Sequence, residues 1–157
     1  MNQEYDYVEM KIPAKSEYVG VVRLTISGIA SRMGFSFDDI EDLKIAVSEA
    51  CTNAVQHAYK EGEDGEILIG CGVYKDRLEL MIADHGHSCN FDEVRLGLGP
   101  YHKDQQVEFM REGGLGIYLI ETLMDRVEIR QHLGVMVFMT KFFRGERVEP
   151  DEQNLST

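Results

Sequence analysis

The sequence predicts an α+β fold: a two-layer α/β sandwich with helices on one face of a mixed, mostly antiparallel sheet. Three observations predict it. Apolar spacing switches between strand and helix periods in the order β-α-α-β-β-loop-α-β-β. Two amphipathic helices follow one another directly, so they need a common surface to cover. The later strands are joined by short turns, and no β-α-β alternation of the Rossmann kind is present.

Each element has its own signal. Tyr5 to Ile12 alternates imperfectly and is predicted as a strand that Pro13 ends. Ser16 offers a capping hydroxyl to a first helix whose stripe is Val19, Val22, Ile26, Ile29 and Met33, closed by Gly34. Arg23 lies off this stripe and is predicted to reach solvent. A second helix starts near Ser36, with Asp38 and Asp39 in its first turn, and buries Ile40, Leu43, Val47, Ala50 and Ala54. Glu66–Tyr74 and Arg77–Ala83 read as a hairpin about Lys75 and Asp76. Periodicity vanishes from His85 to Glu112, a length that inside a compact domain usually marks a functional lid. A helix over Ile117–Met124 and strands over Arg126–His132 and Val135–Phe143 complete the domain, leaving one sheet face open to solvent or a partner.

A length of 157 residues predicts a single domain over 1–157, with 144–157 as a polar, flexible tail. Sixteen Lys and Arg stand against 28 Asp and Glu, a net charge of −12. That balance excludes non-specific nucleic-acid binding and an anionic membrane surface. A phosphate ligand would need backbone N–H groups or a metal ion to offset the field. The start, MNQEYDYVEMKIP, lacks the basic and apolar regions of a signal peptide. Cys51, Cys71 and Cys89 match no zinc spacing and read as reduced thiols, so the expected location is cytoplasmic.

Three constellations carry possible chemistry. Glu49, Asn53 and His57 lie four residues apart, each step rotating only about 40° around a helix, so they form one inclined row. The row flanks the buried stripe, where a carboxylate and an amide one turn apart can hold Mg²⁺, or the carboxylate can take a proton. A solvated helix flank explains the same row. Asp84-His85-Gly86-His87-Ser88 follows a strand, and an ionised carboxylate there can accept from an exocyclic amine such as that of adenine. An ordinary turn is the plainer account. Neither His85 nor His87 has partners at ligand spacing, so no zinc site is assigned. Gly113-Gly114-Leu115-Gly116 opens a helix, whose free N–H groups and dipole suit an anion; a hinge explains it equally well. It is neither a Walker A loop nor a Rossmann fingerprint.

Together, in this order, the three constellations resemble the boxes of the gyrase, histidine-kinase and MutL superfamily of ATPases (GHKL), whose fold is the Bergerat fold. The resemblance spans about Tyr5 to Phe143. VSEACTNAVQHAY, GGLGIYLIETLMD and the final VFMTK are similar to the bacterial anti-sigma factor serine-protein kinases of the general stress response. The resemblance implies that Glu49 is the general base and Asn53 a ligand of the Mg²⁺ that bridges the ATP phosphates. It implies adenine recognition by Asp84, with room from Gly86 and help from Thr140, and phosphate contacts from Gly114 and Gly116. Arg111 is within reach of a phosphate. Ser88 departs from the family's second glycine in Asp-x-Gly-x-Gly.

The family further implies phosphorylation of a serine on an anti-anti-sigma factor and, alternately, sequestration of a sigma factor, sigma-B foremost, by a homodimer. Arg23 is the residue put forward for the sigma contact. Two superfamily alternatives need a phosphoacceptor helical module or a transducer domain, and the sequence reads as neither. The remaining rival is a nucleotide-binding sequestering module without kinase activity.

Overall fold

A computed structural model describes residues 4–60, 65–84, 116–131 and 135–143. The chain enters as β1 (Asp6–Pro13) and turns through a short 3-10 segment, Ser16–Tyr18, into α1 (Val19–Met33). Ser16 is therefore inside the entry turn and does not cap α1. The cap position belongs to Tyr18, which offers no side-chain hydrogen bond. At the other end Gly34 adopts φ 98°. Its N–H reaches the Ser31 carbonyl while the Phe35 N–H reaches that of Ala30, the paired closure of a Schellman turn. That left-handed position is where a side chain would be strained and glycine is not.

Helix α2 (Phe37–Lys60) starts as the sequence implies: the Ser36 hydroxyl accepts from the Asp39 N–H at 3.1 Å. It leads to β2 (Glu66–Val73) and β3 (Arg77–Ala83), and residues 116–123 form α3. β4 (Arg126–Gln131) and β5 (Val135–Phe142) close the sheet in the order β1-β2-β3-β5-β4. All four described pairings are antiparallel, so the expectation of a mixed sheet narrows to an antiparallel one. The predicted lid, the residues between β4 and β5, and the tail lie outside the described residues.

The main core lies between helices and sheet. Val22 and Ile26 of α1, Leu43, Val47 and Ala50 of α2, and Ile117 and Ile120 of α3 are fully buried against Ile69, Leu80 and Ile82. Each such aliphatic side chain contributes about 1.5–3 kcal/mol by leaving water. The opposite sheet face is not open as expected. Leu68, Met81, Ala83, Met136 and Phe138 form a second buried cluster there, with Tyr5 packed against it. The signal was the near-continuous apolar runs of β3 and β5, which mark strands covered on both faces. Among the described residues, no helix is long and apolar enough to cross a membrane.

Candidate active site

The fourfold spacing on α2 and the glycine at the head of α3 meet. A Cβ built on Gly116 would stand 2.9 Å from Glu49 Oε1, 3.4 Å from Asn53 Nδ2 and 3.8 Å from Asn53 Oδ1. Glycine is what lets the first described residue of α3 approach these two side chains so closely. Glu49 is half-buried, whereas Asn53 is only 9% exposed. The Asn53 Nδ2 has no hydrogen-bond partner among the described residues. A buried polar group left unmatched costs about 1–3 kcal/mol, a cost that a bound polar ligand or water relieves. Carboxylate, amide and helix start therefore form a polar cradle whose atoms are set for a partner the protein chain does not itself supply.

Asp84 sits where β3 ends and is 1% exposed. Its Oδ1 accepts the Val135 N–H at 2.8 Å, while its own N–H donates to the Val135 carbonyl at 3.1 Å. Side chains alternate across a strand, so Asp84 shares the helix-facing side with Leu78, Leu80 and Ile82. This fixes an acidic group at the rim of the helix layer with one oxygen held by backbone.

Other expectations fare differently. Thr140 is not brought to Asp84. It pairs with Glu79 across β3 and β5, on the sheet face that carries Met136 and Phe138, and lies about 17 Å along the strand from Val135. The residue of the last strand that meets Asp84 is Val135, which sequence reasoning missed because register is not written in composition. Arg23 does not stand free in solvent: it is half-buried, and its Nε donates to Ser48 Oγ at 2.9 Å. The packing of α1 on α2 causes this, placing Arg23 beside the residue that precedes Glu49. Gly86, Ser88, Arg111 and Gly114 lie outside the described residues, as does the side chain of His57.

Cys51 and Cys71 are buried, and burial pushes both thiols up to about 12. They are packing residues held in the neutral form, not nucleophiles.

An antiparallel sheet under three helices, with a carboxylate and amide on the central helix facing a glycine-led helix start, defines a class of nucleotide-binding domain. The family model of the histidine kinase-like ATPase domain matches residues 12–141, and the chain belongs to that family. It is similar to the Serine-protein kinase RsbW of Bacillus subtilis, at 60% identity over 96% of this chain and 94% of the relative. A protein of the same name from Oceanobacillus iheyensis is 57% identical over 98% and 97% of the two chains. Such identity over nearly full length makes the chain a serine-protein kinase that uses ATP. The crystal structure of the RsbU and RsbW domains of Rv1364c from Mycobacterium tuberculosis superposes with a TM-score of 0.60. It is 17% identical and covers 87% of this chain and 32% of that one, which supports the fold alone.

Proposed function

We propose that the chain binds Mg²⁺·ATP between α2 and the start of α3 and phosphorylates a serine of an anti-anti-sigma factor. In the alternate state it holds a sigma factor inactive, sigma-B being the leading candidate. The observation that carries the site is the convergence of Glu49 and the unmatched, buried Asn53 amide on Gly116. The Asn53 side chain fits a metal-bound polyphosphate through both of its atoms: the unmatched Nδ2 is a donor for a phosphate oxygen, and the amide oxygen is a ligand that Mg²⁺ accepts. When bound, Mg²⁺ would neutralise phosphate charge, which a chain of net charge −12 does not do for itself.

The residues divide the work. Asn53 orients the polyphosphate end. Gly116, with Gly114, lets N–H groups at the head of α3 face phosphate oxygens, and Arg111 adds a positive charge to them. Asp84, its Oδ1 tied to Val135, accepts from the adenine amine, with Gly86 leaving room for the base. Glu49 takes the proton of the partner serine as its Oγ bonds to the γ-phosphorus. The bond from that phosphorus to the bridging oxygen breaks, and ADP leaves with the electron pair. Phosphoryl transfer asks mainly for positioning and charge stabilisation, which suits so sparse a site.

The partner surface is assigned to α1 around the half-buried Arg23, where Val21 and Leu24 are exposed. A cytoplasmic homodimer completes the reading, since both proposed partners belong to that compartment. The test is transfer of labelled γ-phosphate from ATP to a candidate anti-anti-sigma protein. Label on one serine, lost when that serine becomes alanine, is expected. Sigma binding without any label on the partner would overturn the substrate assignment and leave a sequestering role.

A further inference from the structure

Lys141 is the one charged residue of β5, a strand apolar apart from it and Thr140, and it is buried, 6% exposed. Its position in β5 gives it the same side as Val135, Val137 and Met139, facing the helices. The Lys141 Nζ donates to the Leu123 carbonyl at 2.7 Å, at the C-terminus of α3. It also stands 3.5 Å from Asp42 Oδ2 and 3.8 Å from Asp39 Oδ1, in the first two turns of α2. One ammonium therefore closes the end of α3 and ties it to the beginning of α2. A cation is favoured at the first of these ends and a carboxylate at the second, so the dipoles of both helices support the arrangement.

The rest of the α3 exit is pinned to the same strand. The Asp125 N–H donates to the Thr140 carbonyl at 3.0 Å, and the Phe142 N–H donates to Asp125 Oδ2 at 2.7 Å. The described part of the helix spans about 10 Å, from Gly116 to Leu123. Its head abuts Glu49 and Asn53 of α2, and its tail reaches Asp39 and Asp42 of the same helix. It therefore runs antiparallel to α2 and is held at both ends. A small change of tilt at the tail moves the head against Glu49 and Asn53, where the clearance is only that of a missing Cβ.

We infer that Lys141 is a positioning residue for nucleotide binding: it fixes the tail of α3 so that the Gly116 end stays in register with Glu49 and Asn53. The inference rests on the proposed assignment of that end to the phosphates. Lysine at this position serves the site at a distance, without touching it, and the burial of a charge in the helix layer has a use beyond stability.

Titration calorimetry of Mg²⁺·ATP tests this on the full-length wild type, Lys141→Met, Gly116→Ala and the double variant, with Asn53→Ala alongside. Lys141→Met is expected to weaken binding about tenfold, and to add almost nothing in the Gly116→Ala background, because coupled positions are not additive. Unchanged affinity in a folded Lys141→Met protein, or an equal loss in both backgrounds, would overturn the inference. Should Lys141→Met not fold at assay temperature, Lys141→Gln retains a donor for the Leu123 carbonyl without the charge. A smaller but measurable loss is expected of it, and none would again overturn the inference. Asn53→Ala separates the two layers of argument. Wild-type affinity in that variant defeats the site assignment itself; its loss beside normal Lys141 variants defeats only the role of Lys141.

Discussion

The two ends of the proposed nucleotide site are built on opposite rules. At the α2–α3 half, the buried Asn53 amide lacks a partner and Glu49 faces a glycine, so the polar groups wait for a ligand. At the β3–β5 half, Asp84 is tied on both its backbone and side chain to Val135 and is held in place whether or not anything binds. The first arrangement carries a cost in the free protein that a bound nucleotide would relieve; the second commits its hydrogen bonds to geometry beforehand. Phosphates are charged and flexible and tolerate a site completed on binding. A planar base is read by angle and needs a carboxylate that does not move.

The comparison breaks most sharply at Glu49. Glu49→Gln keeps the shape of the cradle and removes the proton acceptor, so phosphoryl transfer should fall by ~10²–10⁴ while ATP affinity changes little. Single-turnover kinetics with labelled ATP measures both. Asp84→Asn should come next. The amide oxygen can still accept the Val135 N–H, but one carboxylate oxygen is lost to a donor. A loss of about 1.5–3 kcal/mol in ATP affinity is expected, with weakened preference over GTP. Asp84→Ala should instead destabilise the fold by about 1–3 kcal/mol, because the buried Val135 N–H loses its acceptor; a urea titration distinguishes the two.

Smaller effects sharpen the same contrast. Thr140→Ala should leave nucleotide affinity within about twofold of wild type, since β-strand parity keeps that side chain off the helix face. The buried thiols act on stability alone. With Cys51 and Cys71 raised from 9.0 to about 12, the folded state holds their protons longer than the unfolded chain does. Their contribution is present below pH 9.0 and lost as pH rises toward about 12, so in alkaline urea titrations the stability of Cys51→Ala should fall less steeply over that window than that of the wild type.

What was legible in the sequence follows from how each element carries information. The alignment of Glu49 with Asn53 was readable because four residues always return to one side, and Gly34 and Ser36 announced helix ends by backbone chemistry. The bounds of β3 were readable because a mostly apolar run, broken only by Glu79, lies between the Lys75-Asp76 turn and Asp84-His85-Gly86. Register was not. Thr140 was expected near Asp84 from the family resemblance alone, yet only pairing decides that Val135 is the residue of the last strand that meets Asp84. Arg23 read as solvent-facing because its own helix carries no sign of Ser48 on the next. The covered second face was missed because alternation was sought where both sides of β3 are apolar. Lys141 gave one clue, a charge inside VMVFMTKFF, but its partners come from two separate helices.

The central claim is that Asn53, facing Gly116, is where Mg²⁺·ATP is held. Calorimetric titration of ATP into wild type and Asn53→Ala, each with and without Mg²⁺, tests it directly. The account predicts tight binding only for the wild type with Mg²⁺, and near-absent binding by Asn53→Ala in both conditions. Equal, Mg²⁺-dependent affinity in the two proteins would contradict it.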